Sequence, residues 1–122
     1  MKDKLKFGLV GTGGIAQAYA QAFKICETAQ LVAVADIRAE AARALAEEMK
    51  CRSFASYEAM AEGMQLDAVI VCSPPVTHPE ICHFFLKQKL HVLCEKPFTI
   101  DAESARSMCE AAEASGVKLT MA

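Results

Sequence analysis

Short apolar runs alternate with helix-like segments six times along this chain of 122 residues. Parallel strands cannot be joined by a tight turn and need a crossover, most often a helix. The rhythm therefore predicts a parallel sheet covered by helices on both faces. The expected strands are 6–10, 31–35, 52–54, 68–72, 91–94 and 117–122. Helices are expected over 14–24, then with Ala42, Leu45, Ala46 and Met49 on one face, then over 57–63. Two more should present Ile81, Phe84 and Phe85, and Ala105, Met108, Cys109 and Ala112. Ser56 and Asp101 are suited to cap helices, and Thr77 with Glu80 reads as a capping box around Pro79. Pro74-Pro75 stops the fourth strand, and Gly116 stops the last helix.

The first strand runs into Gly11-Thr12-Gly13-Gly14-Ile15-Ala16, a G-x-G-x-x-A turn opening a helix. In that setting each small residue has a task. Gly11 permits the tight turn, Gly13 lets the backbone approach a diphosphate, and Ala16 lets helix and strand pack closely. The N–H groups of Gly14 and Ile15 would meet the anion together with the helix dipole. Asp36 ends the second strand, 20 residues beyond Ala16. A carboxylate there can grip the adenine ribose hydroxyls and repel a 2′-phosphate, which favours NAD. Arg38 leaves NADP open, since a guanidinium there either pairs with a 2′-phosphate or stacks on adenine. The fold class is thus α/β, a Rossmann doubly wound parallel sheet in three α/β/α layers. In such folds ligands bind at the carboxyl ends of the strands. Ser73 and Pro74 follow the fourth strand and Glu95-Lys96-Pro97 the fifth, so both segments are expected at the site.

The bulk numbers fit one domain with a core of its own: 53% of residues are hydrophobic and the formal charge is −2. With no basic block, neither nucleic acid nor an anionic membrane is an expected partner. No apolar run nears the ~18 residues of a membrane span. Lys2, Lys4 and Lys6 ahead of an apolar stretch, with Ala18-Tyr19-Ala20 beyond, imitate a secretory leader. Glycines interrupt that stretch, and the sheet needs it as a first strand. The six cysteines show no C-x-x-C pair and no Cys/His metal spacing. They read as reduced thiols, Cys72 and Cys94 in strands and Cys82 and Cys109 in helices, in a cytoplasmic protein without a metal.

Val71-Cys72-Ser73-Pro74-Pro75-Val76-Thr77-His78 and His91-Val92-Leu93-Cys94-Glu95-Lys96-Pro97, following the glycine turn in that order, resemble the Gfo/Idh/MocA family (glucose–fructose oxidoreductase, inositol dehydrogenase, rhizopine catabolism). The resemblance covers the whole chain and matches that family's N-terminal NAD(P)-binding domain. If Glu95 and Lys96 extend the strand, their side chains point to opposite faces. One would then hold the nicotinamide ribose while the other reaches the substrate cleft. The resemblance implies that Lys96 lies near the reacting carbon and assists movement of a hydroxyl proton. It also implies a place for His78 near a cofactor ribose, where the residues alone offer a plain first-turn helix position. One departure concerns Gln88-Lys89-Leu90-His91, where the family has a glycine: a non-glycine residue must close that helix, in a left-handed conformation.

The expected function is cofactor binding for an oxidoreductase that moves hydride between nicotinamide and a sugar, cyclitol or related polyol. The finish on an apolar run suggests a domain, 1–122, cut from a longer protein. The resemblance assigns the substrate cleft and the contacts of a homo-oligomer to a C-terminal domain absent from these residues, so the fragment itself should turn over little substrate. Two alternatives stand beside this reading: a non-catalytic dinucleotide-binding sensor or scaffold, and a methyltransferase, which also uses a glycine turn and an acid after the second strand.

Overall fold

The six apolar runs form the six strands of one parallel sheet, in the order β3-β2-β1-β4-β5-β6. In this computed structural model, which describes residues 3–122, the strands are β1 (Leu5–Val10), β2 (Ala29–Ala35), β3 (Arg52–Phe54), β4 (Ala68–Val71), β5 (His91–Cys94) and β6 (Leu119–Met121). Lys2, the first of the three lysines that imitate a leader, lies outside the described residues. The helices are α1 (Gly14–Ile25), α2 (Ala39–Met49), α3 (Tyr57–Gly63), α4 (His78–Lys87) and α5 (Ala102–Ser115). This strand order is that of a doubly wound dinucleotide fold, and it reverses direction between β1 and β4.

Continuous apolar strands are what a sheet buried on both faces requires, because successive side chains point opposite ways. Leu9, Val34 and Ile70 enter one core with Ala16 and Ala20 of α1 and Leu45 of α2. Their neighbours Val10, Ala35, Val69 and Val71 enter the other, with Met60 of α3, Phe85 of α4 and Met108 of α5. Fully burying the Leu, Ile, Val, Met and Phe side chains among these contributes roughly 1.5–3 kcal/mol apiece, the main force holding the three layers together.

The helix ends follow their sequence signals, with two corrections. Ser56 Oγ accepts the Ala59 N–H at 3.0 Å, and Asp101 Oδ1 accepts the Ser104 N–H at 2.6 Å. Gly116 closes α5 at φ 69°, and Lys89 takes the left-handed turn before β5 at φ 62° in place of a glycine. The capping box does not form. Residues 75–77 make a 3-10 turn, so the Thr77 hydroxyl donates to the Pro74 carbonyl at 2.6 Å, while Glu80 accepts from the Tyr57 hydroxyl at 2.9 Å. That turn already holds Thr77 in helical backbone, φ −90° and ψ −11°, rather than the extended conformation of an N-cap. Cys109 is also corrected: it is exposed, one helical step beyond buried Met108 and turned off the core face.

Candidate functional site

The carboxyl ends of β1, β2, β4 and β5 surround a cleft of about 880 Å³, in the size range of sites for small organic ligands. Gly11 shapes its floor. It sits at φ 91°, and a Cβ there would lie 2.8 Å from the backbone of Cys72 and Ser73, so the loop after β1 can press against the end of β4 only as glycine. Gly13 differs. A Cβ on it would meet nothing within 4 Å, yet the residue lines the cleft. The protein's own packing does not need that glycine.

The start of α1 faces this opening. Its N-cap is Gly13, which has no side chain to cap the first N–H groups, and the first turn holds no acidic residue. Each of the other four helices has an acid there: Glu40, Glu58, Glu80 and Glu103. The positive end of α1 therefore meets neither a capping side chain nor an acid in its own first turn. Ile15 lines the cleft at this point, half-exposed; Gly14 lies beside it in the first turn, off the lining.

Asp36 stands across the loop. Its Oδ2 accepts the N–H of Thr12 at 2.8 Å and the Thr12 hydroxyl at 2.6 Å, and its Oδ1 accepts the Arg38 N–H at 2.8 Å. Burial on its own would push this carboxyl up. The hydrogen bonds from Thr12 and Arg38 outweigh it and bring it down to about 2. Only 7% of the side chain is exposed. A carboxylate offers roughly four acceptor directions, so these three short bonds leave about one for an incoming hydroxyl, and a second requires the Thr12 hydroxyl to turn away. Arg38 reaches the same carboxylate through Nη2 at 3.4 Å, with most of its side chain in solvent.

At the other end, Ser73, Pro74, Glu95 and Lys96 line the cleft, and Lys96 is exposed. The Lys96–Pro97 peptide is cis. Glu95 is pinned at both oxygens: Oε1 accepts the Tyr19 hydroxyl at 2.9 Å and Oε2 the Lys96 N–H at 2.8 Å. Burial, then the charge of Glu95, pushes the Cys72 thiol below it up to about 12. His78 is placed differently from the other site candidates. It is the first residue of α4, fully buried, and lines no part of the cleft. Its Nε2 lies 2.8 Å from the Ser73 carbonyl and its Nδ1 2.9 Å from the Phe98 carbonyl, so the ring ties together the loops after β4 and β5.

Sequence reasoning passed over Thr12, Tyr19 and Tyr57. For Tyr19 a signal existed: on a helix whose packed face is otherwise Ala16 and Ala20, a tyrosine must find a partner for its hydroxyl. Tyr57 lines the cleft from α3, which the periodicity placed but could not aim.

A family model described as an oxidoreductase family with an NAD-binding Rossmann fold, Gfo/Idh/MocA, matches residues 5–122. The chain belongs to this family. Within it, the chain is similar to inositol 2-dehydrogenase of Rhizobium meliloti, 36% identical over 117 residues covering 94% of this chain and 34% of that protein. It is also 35% identical over 116 residues to glucose-6-phosphate 3-dehydrogenase of Bacillus subtilis, covering 95% and 33%. The crystal structure of the WlbA dehydrogenase from Bordetella pertussis in complex with NADH and UDP-GlcNAcA superposes with a TM-score of 0.94 at 30% identity, covering 98% of this chain and 37% of that one. The chain thus spans about a third of the length of these relatives. The Rossmann fold read from the glycine turn is the family's NAD-binding fold, and the oxidoreductase match replaces the methyltransferase alternative. Among the described residues, no helix is long and apolar enough to cross a membrane.

Proposed function

We propose that this chain is the NAD-binding domain of a longer oxidoreductase that transfers hydride between nicotinamide and a carbinol carbon of a sugar, cyclitol or related polyol. The observation that carries the reading is the uncapped, acid-free start of α1 beside Gly13, opening into a cleft that ends at Lys96. We assign the diphosphate to the N–H groups of Gly13, Gly14 and Ile15, the adenine ribose to Asp36, and flanking contacts to Ser73 and Pro74. Glu95 takes the nicotinamide ribose. Two facts about the relatives support this assignment: they are named dehydrogenases, and the WlbA structure is a complex with NADH and a sugar nucleotide.

Bound nicotinamide would supply the acceptor or donor of hydride. Lys96, through Nζ, holds and relays the proton of the substrate hydroxyl. His78 serves the site from behind, by joining its two loops. NAD is favoured over NADP because Asp36 repels a 2′-phosphate and the nearest cation, Arg38, is already paired with it. A polyol partner, assembly through a further domain, and a cytoplasmic setting in which the six unpaired cysteines stay reduced complete the proposal.

Titrating the chain with NADH and following nicotinamide fluorescence tests the reading directly. Saturable binding is expected, and Asp36→Ala should weaken it severalfold. No saturation at millimolar NADH would overturn it.

A further inference from the structure

Helix α1 carries a second device, on its flank rather than at its tip. Tyr19 lies five residues past Gly14, about 7.5 Å along the axis at 1.5 Å per residue. It is part-buried against the core that holds Leu9, Ala16 and Ala20, and it contributes nothing to the cleft lining. Its hydroxyl nevertheless crosses to the end of β5 and donates to Glu95 Oε1 at 2.9 Å, a bond between residues 76 apart in sequence. The other oxygen of Glu95 accepts the Lys96 N–H at 2.8 Å. The Glu95 backbone is fixed as well, its N–H donating to the Val71 carbonyl at 2.9 Å. One phenol hydroxyl thus completes the set of bonds that orients Glu95, and Glu95 in turn holds the amide of Lys96.

We propose that Tyr19 is a positioning residue: from behind the cleft wall it sets the Glu95 carboxylate for the nicotinamide ribose and, through Glu95, the presentation of Lys96. This rests on the cofactor reading above. The helix whose tip meets the diphosphate would then also fix the far end of the dinucleotide site, joining the two by one rigid element. Burial and the neighbouring Glu95 carboxylate hold the Tyr19 hydroxyl well above the ordinary phenol range, so it stays a donor throughout the physiological pH range.

The test compares two probes on the whole chain. NADH spans the entire site, whereas ADP reaches only the adenosine and diphosphate end. Tyr19→Phe removes one oxygen and keeps the ring in its packing. NADH affinity should fall roughly tenfold, as expected for a lost hydrogen bond to a charged group, with ADP affinity unchanged within about twofold. Glu95→Ala should produce the same selective loss, and adding Tyr19→Phe to it should cost nothing more, because the hydroxyl acts only through that carboxylate. Equal losses for NADH and ADP, or losses that add in the double variant, would overturn the proposal in favour of a general packing role. So would an unchanged NADH affinity in Tyr19→Phe. If the unaltered chain binds neither probe, the cofactor reading itself fails; if it binds both and Tyr19→Phe is silent, only the positioning role does.

Discussion

Helix α5 begins with Asp101, whose carboxylate accepts the Ser104 N–H at 2.6 Å, and it carries Glu103 in its first turn. Helix α1 begins with Gly13, with no side-chain cap and no acid in its first turn. Both present the same backbone donors and the same dipole. One end is neutralised from within the chain, and the other has no such partner in its own first turn. On the proposed cofactor reading, stability and binding draw on the same physical resource at these two points, and residue choice decides which receives it.

Substitutions can break this contrast in order of severity. Gly11→Ala should be the most damaging, because its Cβ meets backbone 2.8 Å away at a positive φ. A loss on the order of 3 kcal/mol in urea unfolding, together with loss of NADH binding, is expected. Gly13→Asp should separate the two functions. A Cβ there meets nothing and the new carboxylate caps α1 as Asp101 caps α5, so stability holds or rises by about a few tenths of a kcal/mol. NADH affinity should meanwhile fall roughly a hundredfold as the carboxylate opposes the diphosphate. An NADH titration that leaves Gly13→Asp equal to the parent would remove the contrast.

A smaller effect concerns Asp36. Its folded value, about 2, lies below the ordinary value of 3.8, so its contribution to stability is fully present above pH 3.8 and is lost as the pH falls through about 2. Urea midpoints measured across that window should decline less steeply for Asp36→Asn than for the parent. Smallest is Asp101→Ala, which should lower the melting temperature by a few degrees and leave NADH affinity untouched, since this cap faces no part of the cleft.

Some of this could be read directly from residues. The cleft-lining places of Gly11, Gly13 and Asp36 were legible because a strand, a glycine turn and a helix followed by a second strand have a regular spacing, and Asp101 and Ser56 because capping is local. Thr77 was misread for the opposite reason. Its capping pattern is genuine, but residues 75–77 take a 3-10 turn that starts at Pro75, and Glu80 is drawn to Tyr57, 23 residues away. His78 remained ambiguous in sequence because its two carbonyl partners, on Ser73 and Phe98, lie on separate loops.

By itself the sequence determined the alternation of strands and helices, the glycine turn and the acid one strand over, since these depend on short-range sterics and on a period of two or 3.6 residues. Only the tertiary structure decided that Thr12 bonds the Asp36 carboxylate, that Tyr19 meets Glu95, and that His78 is a buried tie. Those contacts join residues 24, 76 and 20 positions apart. Packing side by side in a folded sheet brings such groups within hydrogen-bonding reach, and no local pattern in the chain encodes that proximity.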